Sequence, residues 1–361
     1  MSVARTPADV LPYGRHVIDD DDIAAVAAVL KGDWLTTGPA VERFETAFAE
    51  RVGARFAVAC SSGTAALHLA TLALGLGPGD AAVVPSITFL ATANAVRYVG
   101  AEVVFADVDA ATGLLGEAEL EAALASSTLP VRAVLPVHLA GQTVDLPAVA
   151  RVAARHGLAV IEDACHAPGT TYRDGAEIMP VGSCRHSAMA IFSFHPVKTI
   201  AMGEGGAVTT NDPALYAQLL RLRNHGMTRD ARDFRNTELA FGADGAANPW
   251  YYEMPALGFN YRASDIHCAL ALSQLGKLDR FVGRRQALAA AYDRQLARLA
   301  PALLPPQRVA GCTPAWHLYA VRVDFGGLGL PREEVMRRLK VAGIGTQVHY
   351  IPVHTQPYYQ D

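Results

Sequence analysis

The 361-residue sequence predicts an α/β fold: a large, mostly parallel sheet sandwiched by helices, followed by a small C-terminal α+β unit. Two observations carry that expectation. Between residues 56 and 224, short runs rich in Val, Ile and Ala alternate with stretches of helical periodicity. That is the pattern of strands buried on both faces and joined by crossover helices. Beyond about residue 262 the alternation stops, and a long helical stretch precedes a strand–helix–strand pattern. A boundary within 262–285 divides the chain into 1–265 and 266–361.

Taken in order, 19–31 opens with four acids and continues Ile-Ala-Ala-Val-Ala-Ala-Val-Leu. Acids at the positive end of the dipole predict a capped helix there, ended by Gly32. Strands are expected at 56–59, 81–85, 103–106, 133–137, 159–162, 189–194 and 207–209. Helices are expected at 64–74, 91–99, 146–156 and 213–224. The stretch 229–252 mixes charge, Gly, Ala and aromatic residues without period and reads as an exposed excursion. Residues 263–300 read as helix broken near Gly276 and Gly283, and 301–306 as a Pro-rich turn. Strands at 317–324 and 345–350 then flank a helix at 332–342.

With 51% hydrophobic and 18% charged residues, the chain can bury a large core. Its net charge is −4 and its basic residues are scattered, which argues against a nucleic-acid surface or a polybasic membrane anchor. No apolar run is long enough to span a bilayer and residues 1–15 hold no apolar signal core, so a cytoplasmic protein is expected. The five cysteines lack any Cys-x-x-Cys pair and read as reduced thiols.

The chemistry centres on Phe192-Ser-Phe-His-Pro-Val-Lys198, where a lysine follows a buried strand and precedes a glycine-rich turn. A poorly solvated lysine offers a neutral amine, which Schiff-base chemistry with an aldehyde cofactor requires. A solvated surface lysine is the plain alternative. In Ala59-Cys-Ser-Ser-Gly-Thr64, the N–H groups of Gly63 and Thr64 and the hydroxyls of Ser62 and Thr64 would meet an anion at a helix N-terminus. A simple Ser/Thr cap accounts for the same residues.

Asp163, in Val160-Ile-Glu-Asp-Ala-Cys-His166, lies at the strand end where open α/β sheets bind ligands. Opposite a pyridinium nitrogen at ~3 Å, with a dielectric near ~20, it would gain on the order of 5 kcal/mol before desolvation. Glu162 is the rival carboxylate, and Glu162, Asp163 and His166 together the rival metal site; no second histidine cluster supports a metal. Phe89 could stack on a planar ring or simply pack in the core. Ser193 could share the anion with the 62–64 turn.

In this order, the stretches resemble the DegT/StrS family of sugar-nucleotide aminotransferases, which are fold-type I pyridoxal-phosphate enzymes. The resemblance runs from about Tyr13 to the chain end. It is carried by Leu35-Thr-Thr-Gly-Pro39, Ser61-Ser-Gly-Thr-Ala-Ala-Leu-His68, Glu162-Asp-Ala-Cys-His166, Phe192-Ser-Phe-His-Pro-Val-Lys198 and Gly203-Glu-Gly-Gly206. Asn224-His-Gly226, Leu257-Gly-Phe-Asn-Tyr-Arg262 and Gln347-Val-His-Tyr350 complete the set.

The resemblance implies that Lys198 binds pyridoxal 5′-phosphate and shuttles a proton, with Asp163 at the pyridine nitrogen and Phe89 over the ring. Ser62, Gly63, Thr64 and Ser193 would hold the phosphate, and His166 would sit near the ring edge. Asn260 would reach the phosphate of a neighbouring subunit, implying a homodimer with shared sites. Trp34, Thr36, His349 and Tyr350 would line the sugar side.

Pro249-Trp-Tyr-Tyr-Glu253 and Val348-His-Tyr-Ile-Pro-Val-His354 look most like the pseudaminic acid branch. The expected substrates there are L-glutamate and a UDP-linked 4-keto-6-deoxy-N-acetyl sugar. GDP-perosamine, UDP-bacillosamine and UDP-4-amino-arabinose types remain alternatives. A pyridoxal-phosphate sugar dehydratase would carry His in place of Lys198, and a regulator would bring a DNA-binding module. Relatives continue beyond Tyr359-Gln-Asp361, so either the end of the small unit is missing here or that unit is unusually short.

Overall fold

A computed structural model describes residues 11–360; most of the 1–15 stretch read above for a signal core therefore lies outside the described residues. In chain order the elements are α1 Asp20–Leu30, α2 Pro39–Val52, β1 Phe56–Cys60, α3 Gly63–Ala73, β2 Ala81–Pro85, α4 Leu90–Tyr98, β3 Glu102–Ala106 and α5 Glu117–Ser126. There follow β4 Val131–Val134, α6 Leu146–His156, β5 Ala159–Asp163, a hairpin of β6 Thr171–Asp174 and β7 Glu177–Pro180, β8 Met189–Ser193, β9 Gly206–Thr210 and α7 Pro213–Leu222. After a short α8, Thr237–Ala240, come α9 Asp265–Leu275, α10 Leu278–Leu296, the two-residue strands β10 Leu303–Leu304, β11 Cys312–Thr313 and β12 Arg322–Val323, then α11 Phe325–Leu328 and α12 Arg332–Val341.

The main sheet has seven strands in the order β1-β9-β8-β5-β4-β2-β3. Only β9 runs against the rest. Each strand is buried on both faces because its alternate residues enter two different cores. Ala57, Ala59, Ala190 and Phe192 face α2, α5, α6 and α9, while Val58, Cys60, Met189 and Ile191 face α3, α4 and α7. Phe48 of α2 seats its ring edge-on against Phe192 at 4.9 Å and Phe194 at 5.2 Å. That packing fixes the end of β8, from which the lysine-bearing loop leaves.

The first helix is capped as the sequence expects, Asp19 accepting from the Asp22 N–H and Asp22 from the Asp19 N–H. One of its acids does more. Asp22 is buried and accepts from Ser273 and Gln274, both at 2.6 Å, with Lys277 alongside. The chain breaks at Gly276–Lys277, between α9 and α10, where Lys277 is also paired with Asp19.

Several expectations are corrected. Gly283 does not interrupt α10, since its position has open space around it and one glycine is tolerable in a long helix. The strand expected at 317–324 shrinks to Arg322–Val323, because His317 O is taken by Arg285 and Leu318 N–H by Ala140 O, and the partner strand β10 is only two residues long. The strand expected at 345–350 is absent: Gly345 N–H instead bonds Leu11 O at 2.7 Å. Helices α2 and α5 and the β6–β7 hairpin were not among the expected elements, although α2 has Pro39 at its start, Gly53 just past its end and an apolar face of Val41, Phe44, Phe48 and Val52. The 229–252 excursion is largely irregular, with only α8 and one 3₁₀ turn, and Trp250 stands exposed.

Candidate active site

The parallel strands point their C-terminal ends at one edge, and there they open a cavity of about 400 Å³. The turn after β1 contributes Ser62, Gly63 and Thr64, the segment after β2 contributes Phe89, the end of β5 Asp163 and His166, and β8 with its loop Ser193 and Lys198. His349 and Tyr350 close it from the C-terminal region. Ten of the thirteen residues singled out from sequence thus line one cavity. Trp34, Thr36 and Asn260 do not; all three are exposed, with Thr36 bridged to Ser264 and Asn260 to Asn224.

The anion cradle rests on close approach. Ser62 Oγ caps α3 by accepting from Ala65 N–H at 3.0 Å, leaving its own proton to donate. The Gly63 and Thr64 N–H groups, first in the helix, have no acceptor among the described residues. A Cβ on Gly63 would stand 2.7 Å from Ser193 Cβ, and one on Gly206 would strike the Ser62 carbonyl and lie 2.7 Å from Gly63 N. Glycine at both positions lets β9 slide in beside the turn.

The two neighbouring acids of β5 separate by strand alternation. Asp163 Oδ2 accepts from Thr92 at 2.7 Å, and Thr92 accepts in turn from Thr88 at 2.8 Å; Oδ1 accepts the Cys165 N–H at 3.2 Å. Glu162 points the other way, 1% exposed, taking His138 Nε2 at 2.9 Å and Ser187 Oγ at 2.5 Å. Because His138 Nδ1 accepts the Val144 N–H, its proton sits on Nε2 and goes to Glu162. Glu162 is thus structural, and no group of three metal-ligating side chains occurs among the described residues.

Lys198 Nζ has no hydrogen-bond or ion-pair partner among the described residues, a rare state for a partly buried amine. Burial pushes its pKa down, against the opposing pull of Cys165 and Asp163. His166 Nδ1 accepts the Ala140 N–H at 3.3 Å, so Nε2 carries the proton and donates to the Tyr350 hydroxyl at 3.1 Å. Burial, then the Lys198 charge, holds His166 well below the usual histidine range and lowers His349. Burial also raises Tyr350. Phe89, 55% exposed, turns a free face to the cavity with its ring 5.9 Å from that of Tyr350.

Sequence reasoning missed Tyr13, His195, His317 and Gln347, which line the same cavity. His317 was hidden inside an expected strand. Nothing in the spacing of Tyr13 marked it; its ring meets that of His349 at 5.7 Å.

Residues 16–361 match the family model described as the DegT/DnrJ/EryC1/StrS aminotransferase family. Among solved structures, the chain is similar to S. venezuelae DesV in complex with a ketimine intermediate (36% identity, 94% of this chain and 82% of that one, TM-score 0.79). It is similar to Helicobacter pylori PseC, an aminotransferase of pseudaminic acid biosynthesis (28%, 97% and 87%, 0.85). A third is the sugar aminotransferase Spr1654 of Streptococcus pneumoniae in its PLP form (26%, 97% and 87%, 0.83).

Proposed function

The chain belongs to the DegT/DnrJ/EryC1/StrS aminotransferase family, whose members use pyridoxal phosphate, and from that premise we propose its donor, its sugar and its residues. It takes an amino group from L-glutamate and delivers it to C4 of a UDP-linked 4-keto-6-deoxy-N-acetylhexosamine. The product would be UDP-4-amino-4,6-dideoxy-N-acetyl-β-L-altrosamine. Likeness to PseC and the 249–253 and 348–354 motifs support the sugar.

The observation that carries the chemistry is the unpartnered Lys198 amine in a cavity that also holds Asp163. The donor set fits pyridoxal phosphate: free N–H groups and hydroxyls at one part, a fixed carboxylate at another, an aromatic face between. Gly63, Thr64, Ser62 and Ser193 would hold the phosphate. Asp163, oriented by Thr92 and the Cys165 N–H, would keep a proton on the ring nitrogen. Phe89 would cover the ring. Bound pyridoxal phosphate supplies the electron sink that makes the proton on the amine-bearing carbon removable. Lys198 Nζ, its pKa lowered by burial, would take that proton and return it one carbon away. The Tyr350 hydroxyl, accepting from His166, would be free to donate to a ligand oxygen.

No helix among the described residues is long and apolar enough to cross a membrane. A homodimer with shared sites, working in the cytoplasm, completes the proposal: Trp34, Thr36 and Asn260 face outward, where a second copy could use them.

The test is the absorbance of the protein loaded with pyridoxal phosphate, before and after L-glutamate. Loss of the yellow band, then its return with the UDP-linked 4-keto sugar but not with GDP- or TDP-linked ones, is the expected result. A yellow protein indifferent to glutamate overturns the donor.

A further inference from the structure

We propose that His317 is a further ligand-contacting residue of this site, taking a carboxylate of the amino donor, with Arg285 as the positioning residue that presents it. The inference rests on the donor reading above.

Three unfavourable features converge on this one imidazole. His317 lines the cavity and is 7% exposed, yet its Nδ1 is buried without a hydrogen-bond partner among the described residues. A buried polar atom left unpaired costs stability and calls for an explanation. The residue before it, Trp316, is held at φ 48°, a strained conformation for a side chain of that size. Arg285 of α10 spends one Nη1 on the carbonyls of Trp316 and His317, both at 3.0 Å. It has no carboxylate partner among the described residues, although burial lowers its pKa.

The surroundings are shaped to keep the loop there. A Cβ on Gly141 would lie 2.9 Å from Trp316 N and 3.0 Å from His317 N. Leu318 N–H reaches Ala140 O at 3.3 Å, and the Arg308 guanidinium lies 4.1 Å over the Trp316 ring. His317 therefore lies against His166 with the rings tilted by 41° and their centres 4.3 Å apart. Of this pair only His317 is uncommitted, since His166 uses one nitrogen on Ala140 and the other on Tyr350.

The chemistry of the donor explains the arrangement. A dicarboxylate brings two negative charges into a cavity whose lining, among the described residues, includes no arginine and a single amine, Lys198. That amine is reserved for proton transfer, and the phosphate has its own cradle. His317 lines the cavity with neither ring nitrogen bonded to the protein among the described residues, so it can turn its one N–H to a carboxylate, alongside the Tyr350 hydroxyl.

Glutarate, a dicarboxylate with no amine to transfer, isolates binding from turnover. Its affinity for the pyridoxal-phosphate-loaded protein, measured by calorimetry, should fall about 10- to 100-fold in His317→Phe and His317→Ala. His317→Gln should recover part of it. Arg285→Gln should weaken glutarate in the same direction, and less so when His317 is already Phe. Cofactor absorbance and affinity should stay as in the wild type. Unchanged glutarate affinity in both His317→Phe and His317→Ala, or a loss matched by loss of cofactor, overturns the proposal. A wild-type protein that neither binds glutarate nor loses its colour with L-glutamate overturns the donor reading itself.

Discussion

Thr92 donates its hydroxyl to Asp163 Oδ2 at 2.7 Å, so the carboxylate assigned to the ring nitrogen is held by a helix that starts beyond a different strand. Thr92→Val removes that donor while keeping the shape. Turnover should fall about 10-fold, as expected for a hydrogen bond to a charged group. Asp163→Asn, which removes the charge, should lower it by about 100-fold or more. Single-turnover bleaching by L-glutamate measures both.

Glu162 should show the opposite pattern. Glu162→Ala strands the His138 N–H and the Ser187 hydroxyl, with an expected cost of about 1–3 kcal/mol for each unpaired donor. Thermal melting should register the loss, while the absorbance of the cofactor in the folded fraction stays unchanged. A Glu162 variant that folds well but loses the cofactor band would return the ring-nitrogen role to Glu162.

Lys198 makes a pH prediction for the protein without cofactor. Its folded-state pKa is depressed by burial, so the unfolded chain binds more protons and stability rises with pH through the window between the folded and the ordinary lysine pKa. Lys198→Met removes the penalty. The variant should melt higher than wild type near neutral pH, converge with it at high pH, and fail to turn yellow with pyridoxal phosphate.

Gly206→Ala should push the Ser62–Gly63 turn away from β9, because the new methyl would meet the Ser62 carbonyl. Overpacking of this kind costs about 1–3 kcal/mol. Affinity for pyridoxal phosphate should fall by at least about 10-fold, read by fluorescence titration against the melting temperature.

Mixing two inactive variants tests the shared site. Lys198→Ala and Asn260→Ala homodimers should each be impaired. Heterodimers formed from them should regain activity, because one site combines an intact Lys198 with an Asn260 from the other chain. No recovery after verified subunit exchange would show that Asn260 serves its own chain.

Much of this architecture was legible in the sequence because two-sided burial writes an unmistakable pattern. Runs such as Val83–Val84 and Ile191–Phe192 admit no polar face, and all seven strands of the main sheet were expected within a few residues of where they lie. The cavity was legible where its lining sits at a strand end, as with Asp163 and Ser193. The C-terminal third was harder. There the backbone follows single long-range bonds, such as Gly345 to Leu11 and Arg285 to the 316–317 carbonyls, which leave no periodic trace. The sequence favoured Asp163 over Glu162 as the carboxylate facing the cavity, but gave no sign that His138 and Ser187 hold Glu162.

Strand β9 bears on the kinetics of folding. Its first residue, Gly206, pairs with both Cys60 and Ser193, and so joins the 62–64 turn and the end of β8, which leave from strands not adjacent in the sheet. A chain assembling from its N-terminal side would form β1 and α3 early, yet β1 gains a sheet neighbour only when β9 inserts. Loop closure across most of the α/β unit makes that step slow. Refolding followed by far-ultraviolet circular dichroism should therefore run ahead of the recovery of cofactor binding, and excess cofactor should lock in the final step without hastening the earlier ones.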